Sequence, residues 1–379
     1  MGISVGVLKE QFPGERRVAL TPKVMDLLTK SGAEVWVESG AGMDSGWSDA
    51  DFAAKGAKIA SAAEVLNRAQ VLLTVRAPEP HGLRKGQIVI GFCDPLSDPE
   101  LAARYAQAGA TLFSMELVPR TTRAQSMDAL SSMASVAGYK AVLLAAVELP
   151  RLFPMMTTAA GTAPPAKVLV LGAGVAGLQA IATARRLGAV VSAYDVRAAV
   201  KEQIESLGAK FVNIDIGTTA EGQGGYARAL TGDEIRKQRE QMAAVMKDQD
   251  VVITTAAVPG RKAPILITKE MARGMNPGSV IVDIAAERGG NCELTQAGMT
   301  IVDNGISIIG PVNLPATVPA HSSKMYARNI ATFLKNMLTK EGALNIDVSD
   351  DITRDTLVTR DGQVTNERVQ ALLGAGVKA

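Results

Sequence analysis

The chain has 379 residues and a formal net charge of +2, with acids and bases interspersed along its length. That length predicts about two domains of ordinary size, and the balanced charge argues against a nucleic-acid groove. Its two cysteines, Cys93 and Cys292, stand far apart, so neither a disulfide framework nor a metal-binding cysteine pair is expected, and a reducing compartment fits.

At the N-terminus, Met1–Val7 runs straight into Lys9 and Glu10 without a long apolar core, so no secretory leader is expected there. Strands are predicted at Ile3–Val7, Glu34–Glu38, Val71–Val75, Ile88–Phe92 and Thr111–Met115. Helices fit between them, including Thr21–Ser31, with Pro22 in its first turn, and Pro99–Ala108. One punctuation recurs: a helical stretch ends in glycine, alanine follows, and an extended run begins. It occurs at Gly32-Ala33, Gly56-Ala57, Gly109-Ala110, Gly188-Ala189 and Gly208-Ala209. Glycine closes a helix cheaply in the left-handed conformation, so each instance marks a helix-to-strand return. Successive returns of this kind predict an α/β fold throughout, with parallel sheets.

From Ser126 to Val147 the chain reads as one long helix, followed by a connector rich in Pro, Thr, Ala and Gly over Leu149–Pro165. The apolar strand Val168–Leu171 then enters Gly172-Ala173-Gly174-Val175-Ala176-Gly177, a helical pattern, and a second strand ending at Asp195. Strand, glycine turn, helix, strand and acid together form a dinucleotide-binding fingerprint in its required context. Gly172 permits the tight turn, Gly174 leaves room for a pyrophosphate, and Gly177 lets the helix approach the strand. The helix start, from Val175, offers N–H groups and a positive dipole end to phosphates. Asp195 can accept from both hydroxyls of an adenosine ribose and would repel a 2′-phosphate, which favours NAD(H) over NADP(H).

The glycine-rich stretch Gly217–Gly232 carries Tyr226 as its one large residue and reads either as a lid over a bound cofactor or as a solvated insertion. Later strands are expected at Val251–Thr254, Val280–Ile284, Thr300–Val302 and Ser307–Ile309. Glu287–Asn291 follows one of them at the edge where α/β sheets bind ligands, and reads as cofactor-facing or domain-bridging. A proline-rich crossing from Pro311 to Pro319 leads to a helix over Ser322–Leu338 and a polar, weakly periodic tail, Gly342–Ala379. The expected architecture is two Rossmann-like parallel-sheet domains with a cofactor cleft between them. The first would comprise 1–135 and 311–379, and the nucleotide domain 136–310.

Several stretches together resemble the alanine dehydrogenase/transhydrogenase α family. They are Glu15–Pro22 (ERRVALTP), Arg123–Asp128 (RAQSMD), the glycine fingerprint, Gly224-Gly225-Tyr226, Val282–Asn291 (VDIAAERGGN) and Asn313–Pro319 (NLPATVP). RAQSMD and AERGGN point to the transhydrogenase branch. The resemblance implies NADH bound between two domains and direct, Re/Si-specific hydride transfer to NADP⁺ on a separate NADP(H)-binding subunit. It implies coupling to proton movement through membrane-spanning subunits, a homodimer, little activity of the chain alone, and a cytoplasmic location peripheral to the inner membrane. It also assigns Arg120, Gln125, Asp128 and Ser131 to the nicotinamide end and Tyr226 to the mobile loop.

Hydride transfer between two nicotinamides moves no proton at the reacting carbons and needs no general base, nucleophile or metal. The two histidines, His81 and His321, stand beside turn-like residues and read as surface or capping groups. In this reading Gln125 and Arg120 anchor a carboxamide, while Asp128 and Ser131 share a face near a helix start. Capping by Ser126 and Asp128 is the plainer alternative.

The main rival is an amino-acid dehydrogenase acting on alanine. Arg17 and Arg76 occupy the places at which the resemblance implies a grip on a substrate carboxylate. Asp94 stands where those enzymes carry a histidine, and Glu287 where they carry an aspartate, which counts against proton transfer. A second rival is a non-enzymatic NAD-sensing module whose lid reports occupancy.

Overall fold

In a computed structural model the chain is described over residues 2–215, 231–258 and 260–376. It divides into two compact units, one formed by Met1–Met133 with Pro315–Ala379 and the other by Ala134–Leu314. In the first unit the strands run, edge to edge, as Gln363–Val364, Leu357–Arg360, Thr111–Ser114, Ile88–Phe92, Val71–Arg76, Ser4–Val7, Glu34–Glu38 and Lys58–Ala60. Every pairing from Thr111–Ser114 to Lys58–Ala60 is parallel. In the second unit the order is Lys210–Phe211, Val190–Tyr194, Lys167–Leu171, Val251–Thr254, Val280–Asp283, Ile306–Ile309 and Thr300–Asp303.

Both sheets are wound in the same way. The chain starts mid-sheet, builds to one edge, then crosses over and builds the other. The strand order therefore reverses between Ser4–Val7 and Val71–Arg76 in one sheet, and between Lys167–Leu171 and Val251–Thr254 in the other. A crevice opens at such a switch point beyond the carboxyl ends of the strands, where α/β sheets bind ligands. The strands that flank it are buried on both faces. Val71–Leu73 and Val168–Leu171 are fully inaccessible, which is why they read as unbroken apolar runs rather than alternating ones.

Four features depart from the sequence reading. The segment read as the start of the long helix, from Ser126, is a 3₁₀ turn over Gln125–Met127, and the α-helix runs over Ala129–Glu148. Among the described residues this helix alone is long and apolar enough to cross a membrane. Its Ala141, Val142 and Ala145 are fully buried in the second unit's core. The connector Leu149–Pro165 contains an antiparallel hairpin, Met156–Thr158 with Gly161–Ala163. A short strand, Lys58–Ala60, follows the Gly56-Ala57 signal at the sheet edge.

The fourth departure is the tail, which is not irregular. It forms a helix over Asp351–Thr356, the antiparallel strands Leu357–Arg360 and Gln363–Val364, and a helix over Glu367–Gly376. Its strands extend the first sheet, so that sheet is not purely parallel, and Thr300–Asp303 is likewise antiparallel to Ile306–Ile309. Weak periodicity hid these elements because threonines share the buried positions with Ile352, Leu357 and Val358. Thr356 and Thr359 are fully buried, with their hydroxyls donating to the carbonyls of Ile352 at 2.7 Å and Ala110 at 2.9 Å.

The helix after the proline-rich crossing spans Pro319–Asn336 and buries Tyr326, Ala327, Ile330, Phe333 and Leu334 in the first unit's core. The Tyr326 hydroxyl donates to the Thr74 carbonyl at 2.7 Å, which ties this helix to the switch-point strand.

Candidate functional site

In the second unit, strand Lys167–Leu171 enters the glycine turn and the helix Val175–Arg186 leaves it. The three glycines of the fingerprint have three different reasons to be glycine. Gly172 sits at φ +96°, and a Cβ there would lie 2.7 Å from the Thr255 hydroxyl. At Gly177 a Cβ would lie 1.8 Å from the Gly172 carbonyl oxygen, so a side chain would drive the helix off the turn. At Gly174, the N-cap, a Cβ would meet nothing within 4 Å. Two glycines are thus demanded by packing, and the third faces open space at the helix start.

That helix start is built for an anion. It has no side-chain cap and no acid in its first turn, while Arg185 and Arg186 complement the dipole in its last turn. The long helix Ala129–Glu148 braces it from behind. At Gly138 a Cβ would lie 2.0 Å from the Ala176 carbonyl oxygen, so the two backbones touch. Gly138 went unnoticed in the sequence because a glycine inside a helical pattern looks merely tolerated.

Asp195 closes the same crevice from the end of strand Val190–Tyr194 and is 8 % exposed. Its Oδ2 accepts from the Ala173 N–H at 2.8 Å, so the carboxylate also holds the glycine turn. The structure adds a partner that the sequence reading missed. Arg197 donates from Nε to Oδ1 at 2.8 Å and from Nη2 to Oδ2 at 2.7 Å, and its own N–H donates to Oδ1 at 2.9 Å. Burial disfavours the charged form of Asp195, but the hydrogen bonds from Arg197 and Ala173 outweigh it and hold the carboxyl below its usual range. Asp195 is therefore not a bare negative charge. The signal was the Asp-x-Arg spacing directly after the strand.

The far wall is a relay of hydrogen bonds. The Thr255 hydroxyl donates to the Gly172 carbonyl at 3.0 Å. The Asn291 side chain clamps the next residue, accepting from the Ala256 N–H at 3.0 Å and donating to its carbonyl at 2.8 Å. Asp283, fully buried, accepts from the N–H groups of Ala285, Asn291 and Cys292 and from the hydroxyls of Thr254 and Thr295. The AERGGN stretch thus contributes Asn291 as a clamp on the 254–256 segment.

In the first unit charged side chains gather at the switch point and engage one another. Arg17, 3 % exposed, donates to both oxygens of the inaccessible Glu15 carboxylate at 2.7 and 2.6 Å. Arg76 lies 3.9 Å from the same carboxylate and stacks on the Phe12 ring, 4.4 Å from its centroid. Glu10 accepts from the N–H groups of Val75 and Arg76 at 2.6 and 3.0 Å, and burial pushes its carboxyl up to about 7. The two arginines that the resemblance linked to a substrate carboxylate are here gathered around the protein's own.

Asp94 takes a positive φ of 42° just past strand Ile88–Phe92. Its N–H donates to Glu116 at 2.8 Å, and its carboxylate accepts from the Ser97 hydroxyl at 3.1 Å. Arg120 and Gln125 are exposed on the segment leading to the long helix. Asp128 and Ser131 are brought together: the Asp128 carboxylate accepts from the Ser131 N–H at 2.9 Å and from its hydroxyl at 2.5 Å. This caps the helix, as the plainer alternative had it for Asp128. Ser126 instead offers its carbonyl to the Asn329 amide at 2.9 Å. Asn313 is buried at φ +47°. Tyr226 and the rest of 217–230 lie outside the described residues.

A dinucleotide fits the second unit's crevice on three observations: the open space at Gly174, the uncapped helix start free of acids, and the carboxylate at the end of the neighbouring strand. Two family models match the chain in tandem. The N-terminal domain model of alanine dehydrogenase/PNT matches residues 6–137, and the C-terminal domain model of the same family matches residues 141–367. The chain belongs to the alanine dehydrogenase/PNT family. Within this family it is 46 % identical to an NAD(P) transhydrogenase subunit alpha polypeptide of Rhodospirillum rubrum, over 99 % of this chain and 100 % of that one. It is 45 % identical to the NAD(P) transhydrogenase subunit alpha of Cereibacter sphaeroides, over 96 % of this chain and 71 % of the relative. The solved structure of a transhydrogenase from Sinorhizobium meliloti superposes with a TM-score of 0.87 at 46 % identity, covering 95 % of this chain and 99 % of that one.

Proposed function

We propose that this family member is the NAD(H)-binding α1 subunit of a proton-translocating NAD(P)⁺ transhydrogenase. The observation that carries the proposal is the 46 % identity running the full length of the Rhodospirillum rubrum subunit alpha polypeptide. The nucleotide crevice described above supplies its physical basis.

When bound, NADH supplies a hydride from its nicotinamide ring. The protein's part is to hold that ring still and dry against its acceptor, with no proton to move. The N–H groups at the Val175 helix start receive the pyrophosphate, Gly174 leaves the approach clear, and Asp195 accepts from the adenosine ribose. Gln125 can pair both amide donor and carbonyl acceptor with the carboxamide, supported by Arg120. Asp128 and Ser131, already hydrogen-bonded to each other, present a shared polar face to the nicotinamide ribose. NADP⁺ is held on a partner subunit, and membrane-spanning subunits couple the transfer to proton movement. The chain acts as a homodimer, peripheral to the inner membrane. A relative that extends beyond this chain, the longer Cereibacter sphaeroides subunit alpha, supports the idea that further segments complete the machine.

Mixing the purified chain with the NADP(H)-binding subunit and following NADH-dependent reduction of an NADP⁺ analogue tests this reading. Turnover by the mixture and none by either component alone is the expected result; a mixture no faster than background refutes it. The amino-acid dehydrogenase alternative predicts NADH formation from L-alanine by the chain alone. The bidentate Arg17–Glu15 pair and Asp94 in the histidine's place both speak against it.

A further inference from the structure

The Rossmann rule separates two solutions at the end of the second strand. An acid there binds the free ribose hydroxyls of NAD, and an arginine nearby receives the 2′-phosphate of NADP. This chain carries both, two residues apart and bonded to each other. Arg197 grips the Asp195 carboxylate with Nε and Nη2 at 2.8 and 2.7 Å, and its side chain is 18 % exposed against 6 % for the acid. With the N–H groups of Ala173 and Arg197 added, Oδ1 and Oδ2 each accept two hydrogen bonds. A carboxylate offers about four such sites, so the acid is saturated before any nucleotide arrives.

Two consequences follow. A ribose diol can reach Asp195 only by displacing guanidinium N–H groups, since the two backbone donors are fixed by the turn. And the guanidinium, once displaced, remains beside the 2′ position, where its planar fork suits a phosphate. We infer that Arg197 is the residue that sets the nucleotide preference of this crevice, competing with the ribose for Asp195 and softening the repulsion that the carboxylate alone would exert on a 2′-phosphate. This rests on the nucleotide-binding reading above and deepens it. Asp195 without Arg197 would discriminate more sharply than the pair does.

The test is calorimetric titration of the full chain with NADH and with NADPH, in the unmodified protein and in Arg197→Leu and Arg197→Gln. Both variants keep the backbone donor and remove the guanidinium. The expected result is that the ratio of the NADPH to the NADH dissociation constant rises at least fivefold in each variant, with NADH itself binding no more weakly. A melting curve identifies a variant that fails to fold, and the other then decides. A ratio unchanged within twofold, or shifted toward NADPH, overturns the inference while leaving the nucleotide site intact. An unmodified chain that binds neither dinucleotide overturns the proposed function, and this inference with it.

Discussion

The glycine turn shows how one residue type serves opposite ends, and a pair of substitutions separates them. Gly177→Ala places a methyl 1.8 Å from a backbone oxygen, so the gain in helix propensity of about 1 kcal/mol is overwhelmed. It is expected to destabilise the second unit by about 2 kcal/mol or more, of the order seen when a packed site is overfilled, as measured by denaturant unfolding. Gly174→Ala meets no neighbour, so its melting temperature should hold while NADH affinity falls at least tenfold by calorimetry. The buried charges of the first unit make a second residue-scale prediction. Removing the guanidinium in Arg17→Ala takes both side-chain hydrogen bonds from the Glu15 carboxylate and leaves it Arg76 at 3.9 Å, and losing one member of a buried pair costs about 3–5 kcal/mol. A stability loss well under 1 kcal/mol would show that Glu15 does not depend on Arg17. Glu10 adds a pH signature. Its carboxyl, near 4.5 when unfolded, titrates near 7 in the fold because burial disfavours the charge. The folded state thus holds a proton that the unfolded state has lost, so stability is fully present below pH 4.5 and declines as pH rises toward 7, by about 3 kcal/mol in all. Unfolding at pH 5 and pH 8 should show that decline, and Glu10→Gln should flatten it. At this scale the sequence marked where the glycine turn and the acid after the next strand lie but not which groups they touch. Gly172, Gly177 and Asp195 could be found from spacing alone. The Arg197 pairing left only the Asp-x-Arg spacing as a trace, and both it and the Glu15 pairing depend on how a loop folds back.

Among the elements, the parallel strands were legible because burial on both faces leaves an unbroken apolar run, as in Val71–Leu73 and Val168–Leu171. The Gly-Ala returns marked where helices end. What escaped was structure with a weaker apolar signal: Leu357–Arg360, where Thr359 is buried beside Leu357 and Val358, and the hairpin inside the proline-rich connector, whose residues are mostly exposed. The start of the long helix was misplaced by three residues because the 3₁₀ turn at Gln125–Met127 leaves Asp128 as the cap. That cap is testable separately from any role at the nicotinamide. Asp128→Ala should cost about 1 kcal/mol of stability. Asp128→Asn, with an equally good capping side chain, should keep the melting temperature while lowering transhydrogenation in the reconstituted mixture. Equal activity of Asp128→Asn and the unmodified chain would leave Asp128 a cap and nothing more.

For the whole molecule, both units are wound on the same plan, and their switch points have been put to different uses. One is kept open by Gly174 and an uncapped helix start. The other holds the protein's own Glu10, Glu15, Arg17 and Arg76 in contact with one another or with the strand end. The second unit's crevice has the features that the proposed function asks of it, and among the described residues the charged groups at the first unit's switch point engage one another. The most direct check follows the hydrogen itself. The chain and its NADP(H)-binding partner, supplied with NADH carrying deuterium at both C4 positions in ordinary water, should yield reduced NADP⁺ analogue carrying one deuterium per turnover. Product carrying hydrogen from the solvent in place of the deuterium would contradict direct transfer between two rings.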